Sequence, residues 1–161
     1  MVAKGDKLPL DVDLMTLVDG NPSTVSTSAV FGGKKVALVT IPGAMTSTCQ
    51  NSHIPQWIAA APAMRAKGVH DVVCLAVNDP FVMAAFETAL RAKGEITFVA
   101  DGGAVLTKAI GNDVDTGAFG GVRAKRACFL VDNGVFTQVN VEPDGTGYSG
   151  PSKPETLLAQ L

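Results

Sequence analysis

Cys49 closes the segment Pro42-Gly-Ala-Met-Thr46-Ser-Thr-Cys49, which lies between an apolar run and a stretch with helical spacing. A cysteine in the first turn of a helix sits among unpaired backbone N–H groups at the positive end of the helix dipole. Both favour thiolate over thiol, and such settings move a cysteine pKa from about 8.5 to roughly 3.5–7.5. The thiolate is the nucleophile, so this placement suits a reactive sulfur. Position alone leaves a second reading open, because free cysteines are also buried as small inert residues. Thr46, taken alone, reads as a helix N-cap.

Other residues could join this chemistry. His53 follows Cys49 by four positions, which puts both on one side of a helix. It is open between a partner of the thiolate, an interface residue and an ordinary hydrogen-bonded helix residue. Cys74 and Cys128 complete an odd set of three cysteines with no C-x-x-C pair. That argues against a secreted disulfide framework and against a dithiol exchanger. With only His53 and His70 beside them, the usual ligand spacing of a structural zinc site is missing. Cys74 lies in an apolar run, where a cysteine is usually packed and inert, though a redox role for it stays open. Cys128, two residues beyond Arg126, shares a strand face with it but also reads as a core residue. Arg123 is open between a partner behind the site and a surface charge, with the surface charge preferred, and Trp57 reads as core or interface.

The elements that must position these side chains follow from spacing. Lys35–Ile41 is a short β-branched run bounded by Gly32-Gly33 and Pro42-Gly43, a strand buried on both faces. Ile54, Trp57, Ile58, Ala61 and Met64 recur at helical spacing up to Lys67-Gly68. Asp71–Val77 is a second buried strand, and Asn78-Asp79-Pro80 opens a helix expected to run to about Lys93. Thr97–Ala100 is a third strand. Cys128–Val131 and Val135–Val141 form a hairpin through Asp132-Asn133-Gly134, and a short helix closes the chain between Lys153 and Leu161. Strand–helix–strand–helix, then a hairpin and a helix, is an α/β arrangement with a mixed central sheet flanked by helices. It is compatible with a thioredoxin-like core. One domain over residues 1–161 is expected from the length and the absence of repeats or linkers.

Composition narrows the function classes. With 47% hydrophobic residues, the chain can build a packed core. No apolar run approaches the ~20 residues of a membrane span. Net charge is −2 and there is no basic cluster, so neither nucleic acid nor membrane is an expected partner. Free thiols point to a reducing, intracellular compartment, the cytoplasm first; a mitochondrial or peroxisomal address stays open.

The segment Pro42-x-x-x-Thr46-x-x-Cys49 resembles the active-site motif of the peroxiredoxins, and its Pro-Gly-Ala opening resembles the type II, peroxiredoxin-5-like branch. Further matches are His53-x-Pro55, Lys67-Gly68-Val69, Val77–Val82, Arg123-x-Lys-Arg126 and Asn140–Gly147, so the likeness covers nearly the whole chain. Two positions depart from it: Met45 stands where the branch usually has Phe, and Ser47 where it has Pro.

The resemblance implies a thiol peroxidase. Cys49 would attack hydrogen peroxide or an organic hydroperoxide and become a sulfenic acid. Thr46 would hold the peroxide, Arg126 would stabilise the thiolate and the charge moving onto oxygen, and Pro42 would shield the sulfur from water. No metal or organic cofactor is implied. In one set of relatives a resolving cysteine follows the Asp-Gly-Thr-Gly segment, where this chain has Gly150. An external thiol is therefore expected, glutathione with or without glutaredoxin, or thioredoxin. A homodimer is expected by resemblance. A non-enzymatic redox sensor or holdase chaperone is the rival reading of the same cysteine.

Overall fold

The computed structural model describes residues 1–161. The chain runs β1 (Asp13–Val18), β2 (Asn21–Ser26), α1 (Thr27–Phe31), β3 (Lys35–Ile41), a π-helical turn at Cys49–His53, then α2 (Ile54–Ala66). It continues through β4 (Asp71–Ala76), α3 (Pro80–Ala89), β5 (Thr97–Ala100), α4 (Val105–Ala109), β6 (Asp113–Asp115), β7 (Val122–Ala124), β8 (Ala127–Asp132), β9 (Val135–Val141) and α5 (Pro154–Leu158). Seven strands form one mixed sheet in the order β2-β1-β5-β4-β3-β8-β9, and β6 and β7 pair separately. β3, β4 and β5 are parallel, and β8 runs antiparallel to β3.

The expected buried strands and the Asn133-Gly134 hairpin are present. Both turn residues take positive φ, 47° and 75°, as a two-residue hairpin turn requires. The helix after Pro80 stops at Ala89 rather than near Lys93. Arg91 adopts φ 53°, which no right-handed helix accommodates. The β1–β2 hairpin, α1, α4 and the β6–β7 pair were not anticipated from the pattern. β2 reads Asn-Pro-Ser-Thr-Val-Ser and lies mostly exposed at the sheet edge, so it carries no apolar alternation.

Alternation along β3 divides the core into two layers. Ala37, Val39 and Ile41 face α2, α3 and α5 with Trp57, Met64, Phe86 and Leu157; Val36 and Leu38 face the layer of Phe31, Leu106 and Phe136. Cys49, Cys74 and Cys128 all lie in the first layer. Cys74 and Cys128 flank Val39 across β3, hence about 10 Å apart, beyond the reach of a disulfide between them.

Candidate active site

The loop from Pro42 to Thr46 leaves the carboxyl end of β3, the end of a parallel sheet where ligand crevices form. It is held tightly. The Ala44 N–H donates to Asn78 Oδ1 at 2.9 Å, and Thr46 Oγ1 donates to the Gly43 carbonyl at 2.7 Å. A Cβ on Gly43 would meet Thr46 Cγ2 at 3.0 Å, so a larger residue here would press on the threonine side chain. Met45 takes a left-handed φ of 67° and is 48% exposed. Its side chain puts apolar bulk at the surface.

Thr46 does occupy the start of the helix, its carbonyl accepting from Gln50 N at 2.9 Å. Its hydroxyl, however, does not cap the helix but bonds back to Gly43. With its proton committed there, the oxygen keeps lone pairs for another donor. Cys49 to His53 then form a π turn, the Ile54 N–H returning to the Cys49 carbonyl. Pro55 has no N–H to donate and stands in the first turn of α2. Such wide turns often mark functional sites.

Arg126, 77 residues further on, brings its guanidinium to the sulfur: Nη1 donates to Cys49 Sγ at 3.2 Å and to His53 Nδ1 at 3.1 Å. Nε donates to the Thr146 carbonyl at 3.0 Å, fixing the plane of the fork. Nη2 has no acceptor in the chain, and Arg126 lines a cleft of about 710 Å³. Pro42, Thr46, Ser47, Thr48, Asp144 and Phe119 line the same cleft. Cys49 itself has no exposed surface. Pro42, Thr46, Cys49 and Arg126, which the family resemblance named together, are thus brought into one place.

His53 is fully buried and bonded to the arginine. Burial is the main cause that lowers its pKa to about 4; Arg126 adds to the fall, while the Ser152 carbonyl and Glu142 oppose it. The imidazole is therefore neutral at pH 7. Trp57 is core, its Nε1 donating to the Ser152 carbonyl at 3.0 Å. Arg123 takes the first of its two readings, a partner behind the site, and not the preferred surface charge. It is half-buried, donates to the carbonyls of Gly120 and Val77 at 3.0 and 3.3 Å, and lies against Gly43. It braces the loop from behind.

Cys74 and Cys128 are buried, and burial pushes both thiols up, Cys128 to about 12. Cys128 does not enter the site; its Sγ donates to the Pro151 carbonyl. Sequence reasoning missed Asn78 as a loop anchor, having read its segment as a helix cap; Asp79 performs that task through Val82 N. It also missed Tyr148, whose ring lies 4.8 Å from that of His53 and 5.8 Å from Arg126 Cζ. Tyr148 belongs to the stretch just after the Asn140–Gly147 match, the one signal that pointed there.

A buried thiol on a π turn, gripped by a guanidinium beneath a strand–helix loop, defines a redox-active thiol on a thioredoxin-like fold. The chain belongs to the Redoxin family, whose profile matches residues 3–158. Among its relatives, peroxiredoxin-2C of Oryza sativa subsp. japonica is 42% identical over 147 residues, covering 89% of this chain and 90% of that protein. Reduced Prx3 from Vibrio vulnificus in complex with h2o2 is 41% identical with a TM-score of 0.91, covering 99% of each chain. Peroxiredoxin 5 from Alvinella pompejana is 31% identical with a TM-score of 0.83, covering 99% of this chain and 97% of that one. Within the family this is a peroxiredoxin of the type II kind, a thiol peroxidase.

Proposed function

We propose that Cys49 is the residue that attacks the peroxide and that an external thiol restores it. The observation that carries this reading is the 3.2 Å hydrogen bond from Arg126 Nη1 to Cys49 Sγ. In the first step the thiolate attacks the outer peroxide oxygen and the O–O bond breaks. Cys49 becomes a sulfenic acid, and the departing alkoxide or hydroxide takes up a proton. Arg126 stabilises the sulfur anion before attack, and its Nη2 is available to the oxygen that gains charge. Thr46 Oγ1, its own proton given to Gly43, accepts the peroxide O–H. Pro42 is buried over the loop and keeps water from the thiolate.

In the second step a thiol attacks the sulfenic sulfur, water leaves, and a second thiol releases Cys49 as the mixed disulfide is reduced. Gly150 and the buried, strongly raised thiols of Cys74 and Cys128 support an external source for both. Glutathione with glutaredoxin is our first choice and thioredoxin the second. Free buried thiols support a working place in a reducing compartment, the cytoplasm first.

A homodimer is the second part of the proposal. Met45, Phe81, Val105 and Phe119 are large apolar residues left 48–70% exposed. Met45, Phe81 and Val105 follow the carboxyl ends of the parallel strands β3, β4 and β5, and Phe119 lines the cleft with Pro42 and Thr46. Apolar surface of this kind marks contact sites, and the resemblance to type II peroxiredoxins implies pairing around the active site.

The test is steady-state peroxide consumption with glutathione/glutaredoxin and with thioredoxin, in wild type and Cys49→Ser. Turnover with either reductant that disappears in the variant supports the reading; equal turnover in the variant sinks it.

A further inference from the structure

Glu142 is a carboxylate with 1% of its surface exposed and no cation bonded to it. A buried charge without a counter-ion is costly unless donors surround it. Here five do, all neutral and all from one short segment. Ser149 donates through N–H at 2.8 Å and hydroxyl at 2.6 Å, Gly150 through N–H at 3.3 Å, and Ser152 through N–H at 3.2 Å and hydroxyl at 2.7 Å. Burial alone would raise the carboxyl pKa, but the bonds from Ser149 and Ser152 outweigh it and bring it to about 2. The backbone of the same turn is tied to the arginine strand, Glu142 N–H to the Arg126 carbonyl at 3.0 Å and Arg126 N–H to the Gly145 carbonyl at 2.7 Å.

What the carboxylate holds in place is a carbonyl. Ser152 O accepts from His53 Nε2 at 3.0 Å and from Trp57 Nε1 at 3.0 Å. Trp57 Nε1 also lies 3.2 Å from His53 Nε2, but a carbonyl can only accept and Arg126 can only donate to Nδ1, so the ring proton of neutral His53 sits on Nε2. Nδ1 then carries a lone pair and accepts from Arg126 Nη1. Nη1 has two hydrogens; one goes to Nδ1, and the other is left for Cys49 Sγ. A proton on Nδ1 would set donor against donor and one cation against another.

We propose that Glu142 is a positioning residue for the Cys49 nucleophile. By folding Ser149–Ser152 it aims the Ser152 carbonyl at His53, selects the Nε2–H tautomer, and so seats the Arg126 fork on the sulfur. The assignment rests on the peroxidase reading above, but it concerns a residue remote from the peroxide. Its chain of contacts runs through carboxylate, backbone carbonyl, imidazole and guanidinium. The charged and titratable groups around His53 are Arg126, Cys49, Glu142 and Tyr148, with Lys153 Nζ 5.2 Å from the Tyr148 ring on that side. None of these but Glu142 orders the Ser152 carbonyl.

The test uses full-length Glu142→Gln with two readouts. The first is the stopped-flow rate of Cys49 oxidation by hydrogen peroxide. The second is the ¹⁵N shifts of His53, one of only two histidines in the chain. In the wild type His53 should stay an Nε2–H tautomer from neutral pH down to about 5. In the variant it should populate both tautomers while staying neutral at pH 7, because the burial that keeps its pKa low is unchanged. Oxidation should slow about ten-fold or more. A folded variant with the wild-type oxidation rate overturns the proposal. So does a slowed variant whose His53 remains Nε2–H throughout, since that is the mark of a merely structural effect. If Glu142→Gln does not accumulate, Ser149→Ala/Ser152→Ala removes only the two hydroxyl bonds. It should show the same His53 change at smaller amplitude, and unaltered His53 shifts there overturn the proposal. Absence of peroxide turnover in the wild type sinks the peroxidase reading instead, which the His53 readout does not depend on.

Discussion

The Asn78 amide oxygen accepts the Ala44 N–H at 2.9 Å, so the loop after β4 holds the loop that carries Thr46. Two chain segments that leave neighbouring parallel strands are thereby locked at the same end of the sheet. Asn78→Ala leaves the Ala44 N–H without its acceptor at a part-buried position. We expect a loss of about 1–2 kcal/mol in stability, measured by urea unfolding, together with slower peroxide reduction. Unchanged peroxide kinetics would show that the anchor is dispensable.

The contact between Arg126 and Cys49 depends on the shape of the fork as well as its charge. One guanidinium serves Thr146 O, His53 Nδ1 and Cys49 Sγ together. A lysine ammonium keeps the charge but has no planar fork with which to meet all three. Arg126→Lys should therefore slow Cys49 oxidation by about 10²-fold, in the range seen when one preorganised donor is lost. Stopped-flow oxidation at fixed pH, with circular dichroism as a control for folding, measures it.

Only one of the three thiols should be needed for turnover. Burial pushes Cys74 well above the ordinary thiol range and Cys128 to about 12. Cys74→Ser and Cys128→Ser should each retain most peroxidase activity with a glutathione-type reductant, whereas Cys49→Ser should retain none. Loss of turnover in Cys74→Ser, with its fold intact, would give that strand residue a resolving role.

Intact mass after one equivalent of hydrogen peroxide, with no reductant, tests the same point chemically. The expected product carries one added oxygen on Cys49. A loss of two hydrogens, mapped to Cys49 with Cys74 or Cys128, would mean that an internal disulfide forms.

Stability should fall in two stages on acidification. Unfolded His53 takes up a proton near its ordinary 6.5, while native His53 resists until about 4. The native state therefore loses up to about 3 kcal/mol as pH drops from 6.5 towards 4. Glu142 acts lower: its native carboxyl holds out to about 2 against an ordinary 4.5, so its contribution is lost between those values. Chemical denaturation across this range should show both slopes. His53→Gln should flatten the upper one and leave the lower.

Local pattern determined a good part of this protein. The β-branched run Lys35–Ile41, the break at Pro42-Gly43 and the helical spacing from Ile54 identify a cysteine at a strand–helix junction. Those features are written in neighbouring residues, because strand and helix formation depend on spacings of two to four positions. The motif resemblance added Thr46, Pro42 and Arg126. What spacing could not convey is contact across long separations. Arg126 meets Cys49 over 77 residues, and the Ser152 carbonyl meets His53 over 99. Both depend on β8 returning antiparallel beside β3, and the second also on the chain folding back from β9 onto α2. Arg123 stayed open between surface charge and partner of the site because only the tertiary fold lays the Gly43 loop against its side chain. Glu142 and Asn78 are short polar residues of turns, and nothing in their neighbours distinguishes them from solvated ones. Their partners come from other loops, and burial among those loops turns an ordinary carboxylate and an ordinary amide into the anchors of the site.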